Sequence, residues 1–284
     1  LSKQFGKKWA VRDLALQVPR GSVFGLLGPN GAGKSTTIHM LMGLLPPTAG
    51  RVSVLQMDPH KEDIKVKRRV GYVAEVHGFY EWMTVDETIR LVRPYYPTWD
   101  QVLCRTLLNQ FKLNEEDRVG TLSKGQRAKL ALLLAIAYHP ELLILDEPTG
   151  GLDPAARRNF IETILAEFQE EGKTILVSSH LLNEFSGLLD YVAFVREGQL
   201  ELVSRLDALQ QKTKRARLLF RDAAPTGLQI EGTRLGTVNG REAQLTCRAF
   251  DPETTLDALK ATGAEQVIVE DMTLEDIFVE LVGS

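Results

Sequence analysis

The run Gly28-Pro29-Asn30-Gly31-Ala32-Gly33-Lys34-Ser35-Thr36 fits the spacing G-x-x-x-x-G-K-[ST]. Each residue type has a chemical reason. Glycines let successive backbone N–H groups curl around a polyphosphate, and a helix that starts there turns its positive dipole end towards the same charge. Lys34 is long enough to reach the β and γ phosphates, and the Ser35 hydroxyl suits a magnesium ion. Further along, Asp146 and Glu147 end the apolar run Leu142-Leu143-Ile144-Leu145, and His180 stands just past another run, Thr174 to Ser178. Carboxylates at the carboxyl end of a buried strand point into the crevice where open α/β sheets bind their ligands.

These groups need elements to hold them. Val23 to Leu27 reads as a strand entering the glycine loop, and Ile38 to Leu45 as the helix leaving it, stopped by Gly43 and Pro46-Pro47. Ala10 to Leu27 alternates around Pro19-Arg20-Gly21, which predicts a hairpin feeding the loop. Arg51 to Leu55 and Val70 to Val73 read as strands. Thr84-Val85-Asp86-Glu87 is a capping box, and Asp100 caps a helix carrying Val102, Leu103, Leu107, Leu108 and Phe111 at helical spacing. Residues from about Phe79 to Gly120 therefore form a mostly helical insert.

Ser123 caps a long helix through Tyr138, ahead of the buried strand that ends in Asp146. Asp153 caps the next helix with Pro154 at its first position. Tyr191 to Arg196 and Gln199 to Val203 read as a closing hairpin around Glu197-Gly198. The strand and helix alternation implies a parallel sheet covered on both faces. Gln210 to Arg217 reads as a polar, basic connector. Beyond it, strands are expected at Ala216 to Phe220, Ala243 to Phe250 and Gln266 to Glu270, with helices opened by Asp251-Pro252 and by Thr273.

A chain of 284 residues, 44% hydrophobic and 25% charged, has an ordinary globular balance with room for two domains. Its net charge of -3 does not favour nucleic acid as a partner, and the cluster Lys65, Lys67, Arg68 and Arg69 reads as a solvated helix face. Cys104 and Cys247 lie far apart without metal spacing, which fits a reducing compartment. The longest apolar run, Leu130 to Tyr138, falls short of the ~18 residues a membrane span needs. No signal peptide is read, and because the first residue is Leu in the middle of a strand pattern, a few residues are expected to precede it.

Leu122-Ser123-Lys124-Gly125-Gln126, some twenty residues before Leu142 to Glu147 and followed by Gly151-Leu152-Asp153 and His180, completes a set. Together with the glycine loop, in this order and spacing, these motifs resemble the ATP-binding cassette (ABC) ATPases over residues 1 to about 205. The implied fold class is α/β, a P-loop NTPase cassette with a parallel-sheet core and a helical subdomain at about 79–139, followed by a small α+β C-terminal domain. The implied domains are 1–209 and 210–284. The resemblance further implies that two cassettes, identical or paralogous, dimerise head to tail and hold ATP between one glycine loop and the other chain's Leu122-to-Gln126 motif. There the hydroxyl of Ser123 and nearby N–H groups, with Gly125 and Gln126, would meet the γ-phosphate, with Asp153 beside them. Taken alone, the segment reads as a helix cap.

By the same resemblance Asp146 holds magnesium through water, Glu147 polarises the attacking water, and His180 contacts the γ-phosphate. Phe5 matches the aromatic that stacks on adenine, with Trp9 as a second candidate. Glu75 stands where most of the family has Gln. A carboxylate ~5 Å from a phosphate costs on the order of 3 kcal/mol at an effective dielectric near 20, so it requires the metal nearby. Lys124 replaces a glycine. The tail Leu274 to Leu281 is similar to that of stand-alone ATPase subunits of bacterial drug and lipid exporters. This subclass implies integral membrane subunits as partners and a peripheral site on the cytoplasmic face of the membrane. The alternative is a soluble ABC-type ATPase not coupled to transport. Phe79, Tyr80, Trp82 and Met83 mark the expected membrane-subunit contact, in a cleft between Glu75 and the helix that starts at Thr84.

Overall fold

The computed structural model describes residues 1–168, 172–181 and 184–282. In chain order the elements are β1 (Lys3–Phe5), β2 (Lys8–Val11), β3 (Val23–Leu27), α1 (Lys34–Leu41), α2 (Asp63–Lys67), β4 (Val70–Val73), α3 (Val85–Val92), α4 (Gln101–Phe111), α5 (Lys124–Ile136), β5 (Leu142–Asp146) and α6 (Pro154–Phe168). Then follow β6 (Thr174–Ser179), β7 (Tyr191–Arg196), β8 (Gln199–Arg205), α7 (Leu206–Lys212), β9 (Lys214–Leu219), β10 (Thr233–Asn239), β11 (Glu242–Cys247), α8 (Thr254–Lys260), β12 (Gln266–Asp271) and α9 (Leu274–Val282). They divide into two compact units. The first holds residues 1–181 and 191–202, and the second takes in the residues between 182 and 190 and everything from 203 onward.

In the first unit the described strands form a sheet in the order β4-β5-β6-β3-β7-β8. β3 runs parallel to both β6 and β7, and β5 parallel to both β4 and β6. Central parallel strands are buried on both faces, which explains the unbroken apolar runs of β3, β5 and β6. Phe24, Leu26, Ile38, Met40, Ile144 and Val195 join sheet and α1 in one core. Because β3 carries a run rather than an alternation, it goes to the middle of this sheet. The hairpin expected over Ala10 to Leu27 is therefore absent, and β2 instead pairs back with β1. The strand expected at Arg51 to Leu55 is also absent. Leu55 and Gln56 take left-handed backbone angles, and a tight turn bridges Val54 to Met57.

Both expected caps of the helical segment are formed. Thr84 and Glu87 make a reciprocal capping box, and the Asp100 carboxylate accepts from the N–H groups of Val102 and Leu103. α4 buries Cys104, Leu107, Leu108 and Phe111, while Val102, expected on that face, is 76% exposed. α5 is buried nearly all round from Leu130 onward, and the Tyr138 hydroxyl beyond it donates to the Val70 carbonyl at 2.8 Å. Burial raises the pKa of that phenol well above its ordinary value.

In the second unit the described strands form an antiparallel sheet ordered β10-β11-β9-β12, with Ala216, Leu218, Leu245 and Leu259 in its core. The expected connector at Gln210 to Arg217 is in fact the end of α7 and the start of β9. β10 is not among the expected strands. Arg215 pairs with Asp276 on α9 at 3.2 Å, and Arg217 pairs with Glu270 across β9 and β12.

Candidate nucleotide site

The loop between β3 and α1 requires glycine at two places for packing as well as for its backbone angles. A Cβ on Gly28 would stand 2.1 Å from the Val195 carbonyl oxygen, and one on Gly33 would stand 2.4 Å from that of Ala10. Both residues take positive φ. Gly33 is also the N-cap of α1, and no side chain caps that helix. Its first-turn N–H groups are left for an anion. Gly31 and Asn30 are exposed at the loop's crest, whereas Ala32 is buried beneath it and Ser35 and Thr36 are half-buried on the first turn of the helix.

The β5 and β6 ends meet this loop from the side. Lys34 is 5% exposed and donates to the carbonyls of Gly28 at 2.8 Å and Pro29 at 3.2 Å. Its Nζ also lies 3.0 Å from Glu147 Oε1, in a buried ion pair without the angles of a directed hydrogen bond. The other oxygen, Glu147 Oε2, is 2.7 Å from His180 Nδ1 and accepts from the His180 backbone N–H at 3.3 Å. Glu147 itself takes φ 46°, a left-handed angle that is strained for a residue with a side chain. The Ser35 hydroxyl donates to Asp146 Oδ1 at 3.1 Å. Lys34, Ser35, Asp146, Glu147 and His180, expected from three separate stretches of sequence, thus stand in one network.

Ser35 and Asp146 offer one hydroxyl and one carboxylate, and no cluster of three His, Cys, Asp or Glu that could hold a metal occurs among the described residues. Such a sparse, all-oxygen donor set suits magnesium, which retains water and takes its remaining ligands from phosphate. Glu75 is exposed at the end of β4. Its charge acts, together with that of Asp146, on Tyr72, whose phenol is pushed up to about 12 by burial first and then by those two carboxylates. Phe5 and Trp9 lie on the β1–β2 hairpin, 50% and 40% exposed, and β2 is the strand whose Ala10 carbonyl abuts Gly33. Lys3 Nζ sits 5.2 Å from the centre of the Phe5 ring.

A second group forms around the start of α5. Ser123 and Gln126 make a reciprocal capping box, in which the Ser123 hydroxyl accepts from the Gln126 N–H and Gln126 Oε1 accepts from the Ser123 N–H. These two N–H groups are therefore engaged within the cap, but the serine's own O–H remains a donor. A Cβ on Gly125 would stand 3.5 Å from Ala156 Cβ, and one on Gly151 would stand 3.7 Å from Lys124 Nζ. The motif thus packs on the stretch that contains Asp153, whose carboxylate caps α6 by accepting from the N–H groups of Ala155 and Ala156.

Ser178, which belongs to no motif of the sequence, is fully buried and bonds to both Asp146 and Glu147. A polar residue at the carboxyl end of an apolar strand was the available signal. Arg127 lies likewise outside the motifs. It donates to Glu81 Oε1 at 3.2 Å and to the Gly120 carbonyl at 3.0 Å, tying α5 to the loop of Tyr80 and Trp82. Those two aromatics are 58% and 66% exposed. Beside them lies a cavity of about 330 Å³ lined by Tyr72, Val76, Phe79, Tyr96, Ala131 and Tyr138, among others.

Comparison with known proteins places this geometry in a family. Residues 11–150 match the family model described as ABC transporter. A bacitracin transport ATP-binding protein of Bacillus licheniformis is 32% identical over 300 residues, covering 100% of this chain and 95% of its own length. The Nod factor export ATP-binding protein I of Burkholderia lata is 33% identical over 292 residues, covering 100% of this chain and 95% of its own. A solved ATP-binding subunit of an ABC transporter superposes with a TM-score of 0.68 at 29% identity, over 74% of this chain and 89% of that one. A dimeric ATP-binding cassette in a post-hydrolysis state, bound to ADP and phosphate, shares the fold at a TM-score of 0.64 and 22% identity, over 72% of this chain and 95% of that one. The chain belongs to the ABC transporter family, as one of its ATP-binding ATPase subunits.

Proposed function

We propose that two copies of this chain, or one copy and a paralogue, close around magnesium and ATP and hydrolyse it to drive export through separately encoded membrane subunits. The observation that carries this reading is the partly buried network in which Glu147 is held between Lys34 and His180 while Asp146 is held by Ser35. The relative named for bacitracin transport supports a transport role, and the one named for Nod factor export supports the export direction.

In this mechanism the loop N–H groups and Lys34 bind the phosphates, and Phe5 or Trp9 stacks on the adenine. Glu147 polarises a water whose oxygen attacks the γ-phosphorus as the bond to the β-bridging oxygen breaks, yielding ADP and phosphate. His180, already against Glu147 Oε2, orients that carboxylate and reaches the γ-phosphate. The Ser35 hydroxyl and the Asp146 carboxylate would hold magnesium, which would supply positive charge to offset that of the phosphate oxygens. Ser123 of the second copy donates its free O–H to the γ-phosphate in trans, supported by the uncommitted first-turn N–H groups of its helix.

The membrane subunit docks over Tyr80 and Trp82 at the cavity lined by Phe79, and Arg127 transmits its position to the start of α5. No helix among the described residues is long and apolar enough to cross a membrane. In this reading the chain is held at the cytoplasmic face by its membrane partner. Co-purification from detergent-solubilised membranes tests this reading. Recovery of a polytopic membrane subunit together with magnesium-dependent ATPase activity is the expected result. ATP hydrolysis with no membrane protein recovered would instead support the soluble alternative.

A further inference from the structure

Ser178 lies opposite Asp146 in the parallel register of β5 and β6, so the two side chains project to the same side of the sheet. It is fully buried. Its hydroxyl has one proton and two lone pairs, and the surroundings use both functions. The proton goes to Asp146 Oδ1 at 2.6 Å, a short bond of the kind a carboxylate makes with a hydroxyl. A lone pair accepts the backbone N–H of Glu147 at 3.0 Å, and that N–H is shared with the Ser178 carbonyl at 3.2 Å.

The two bonds act on different members of the catalytic pair. The first fixes the rotation of the Asp146 carboxylate, whose Oδ1 also receives the Ser35 hydroxyl. The second fixes the peptide between Asp146 and Glu147 and thereby helps hold Glu147 at its left-handed φ of 46°. That angle directs the Glu147 side chain to its place between Lys34 and His180. We propose that Ser178 is a positioning residue for ATP hydrolysis, one hydroxyl that sets the metal-binding carboxylate and the water-polarising glutamate in register with each other. The proposal rests on the function proposed above.

Its consequences are specific. Ser178→Ala removes both bonds and leaves a methyl against a buried carboxylate oxygen, whereas Ser178→Thr keeps the hydroxyl and adds one methyl. Loss of a hydrogen bond to a charged group lowers kcat by about ten- to a hundredfold, with KM for ATP shifting by less than about threefold. The gain in ATP affinity on adding magnesium, measured by equilibrium dialysis without turnover, shrinks by about threefold or more in Ser178→Ala and recovers in Ser178→Thr. A role confined to packing predicts a lowered Tm with neither the kcat-against-KM split nor the recovery by threonine.

The experiment measures kcat, KM, magnesium-dependent ATP binding and Tm for the wild-type chain and both variants. Failure of the wild type to hydrolyse ATP would overturn the function proposed above. An active wild type with a folded Ser178→Ala variant within twofold of it in kcat and in the magnesium effect would overturn the role of Ser178 alone. If Ser178→Ala does not fold, a folded Ser178→Thr variant with wild-type kcat upholds the hydroxyl's role, and one that has lost activity as alanine should do overturns it.

Discussion

Replacing Lys34 by methionine keeps most of the alkyl stem and removes the ammonium, leaving the Glu147 carboxylate buried without its cation. Lys34 and Glu147 are 5% and 9% exposed, and breaking a buried pair by removing one partner costs about 3–5 kcal/mol. The low end, about 3 kcal/mol, applies because His180 still faces Glu147 Oε2 at 2.7 Å. With a urea m-value of about 3 kcal/mol/M, the unfolding midpoint falls by about 1 M. The three tryptophans, Trp9, Trp82 and Trp99, all belong to the first unit, so tryptophan fluorescence reads that unit's transition by itself. A second change, Glu147→Gln, removes the stranded charge and restores most of the loss. A midpoint shift below about 0.3 M in Lys34→Met, or two changes that add with no recovery, would contradict an energetic coupling of Lys34 to Glu147.

Gly28→Ala should weaken ATP binding at least about tenfold by equilibrium dialysis, because its Cβ would stand 2.1 Å from the Val195 carbonyl oxygen and the loop must shift. Tyr80→Ser with Trp82→Ser should cut co-purification of the membrane subunit by about tenfold while ATPase activity stays within about twofold; unchanged co-purification would move the docking site elsewhere. His77 titrates below its ordinary value of 6.5, chiefly through burial, with the Arg127 charge lowering it further. The unfolded chain therefore takes up the proton first, so this contribution to stability is present above pH 6.5 and is lost as pH falls. Urea midpoints at pH 7.5 and 5.5 should differ less in His77→Gln than in the wild type.

The glycine loop between β3 and α1 was legible because its form is set within nine adjacent residues. The caps at Thr84, Asp100, Ser123 and Asp153 were legible for the same reason, since each bonds to N–H groups two or three positions away. What depends on register across distant strands was not. Ser178 reaches Asp146 only because β5 and β6 align them; the local pattern of β6 marks a polar strand end but not the carboxylate it faces. β10 escaped notice because it contains Gly236, lies at the sheet edge and is irregular between Leu235 and Val238, so its alternation is weak. The false strand at Arg51 to Leu55 shows the converse. Its alternation of apolar residues is real, but Leu55 and Gln56 turn the chain before any partner is met.

Glu147→Gln probes the proposed role of Glu147 as the group that polarises the attacking water. The substitution retains volume and hydrogen-bonding capacity but removes the charge that polarises water. Phosphate release is measured in a single turnover, with ATP affinity determined in parallel. The rate should fall by about a hundredfold or more, with ATP bound within about threefold of the wild-type affinity. Turnover at the wild-type rate would contradict that role.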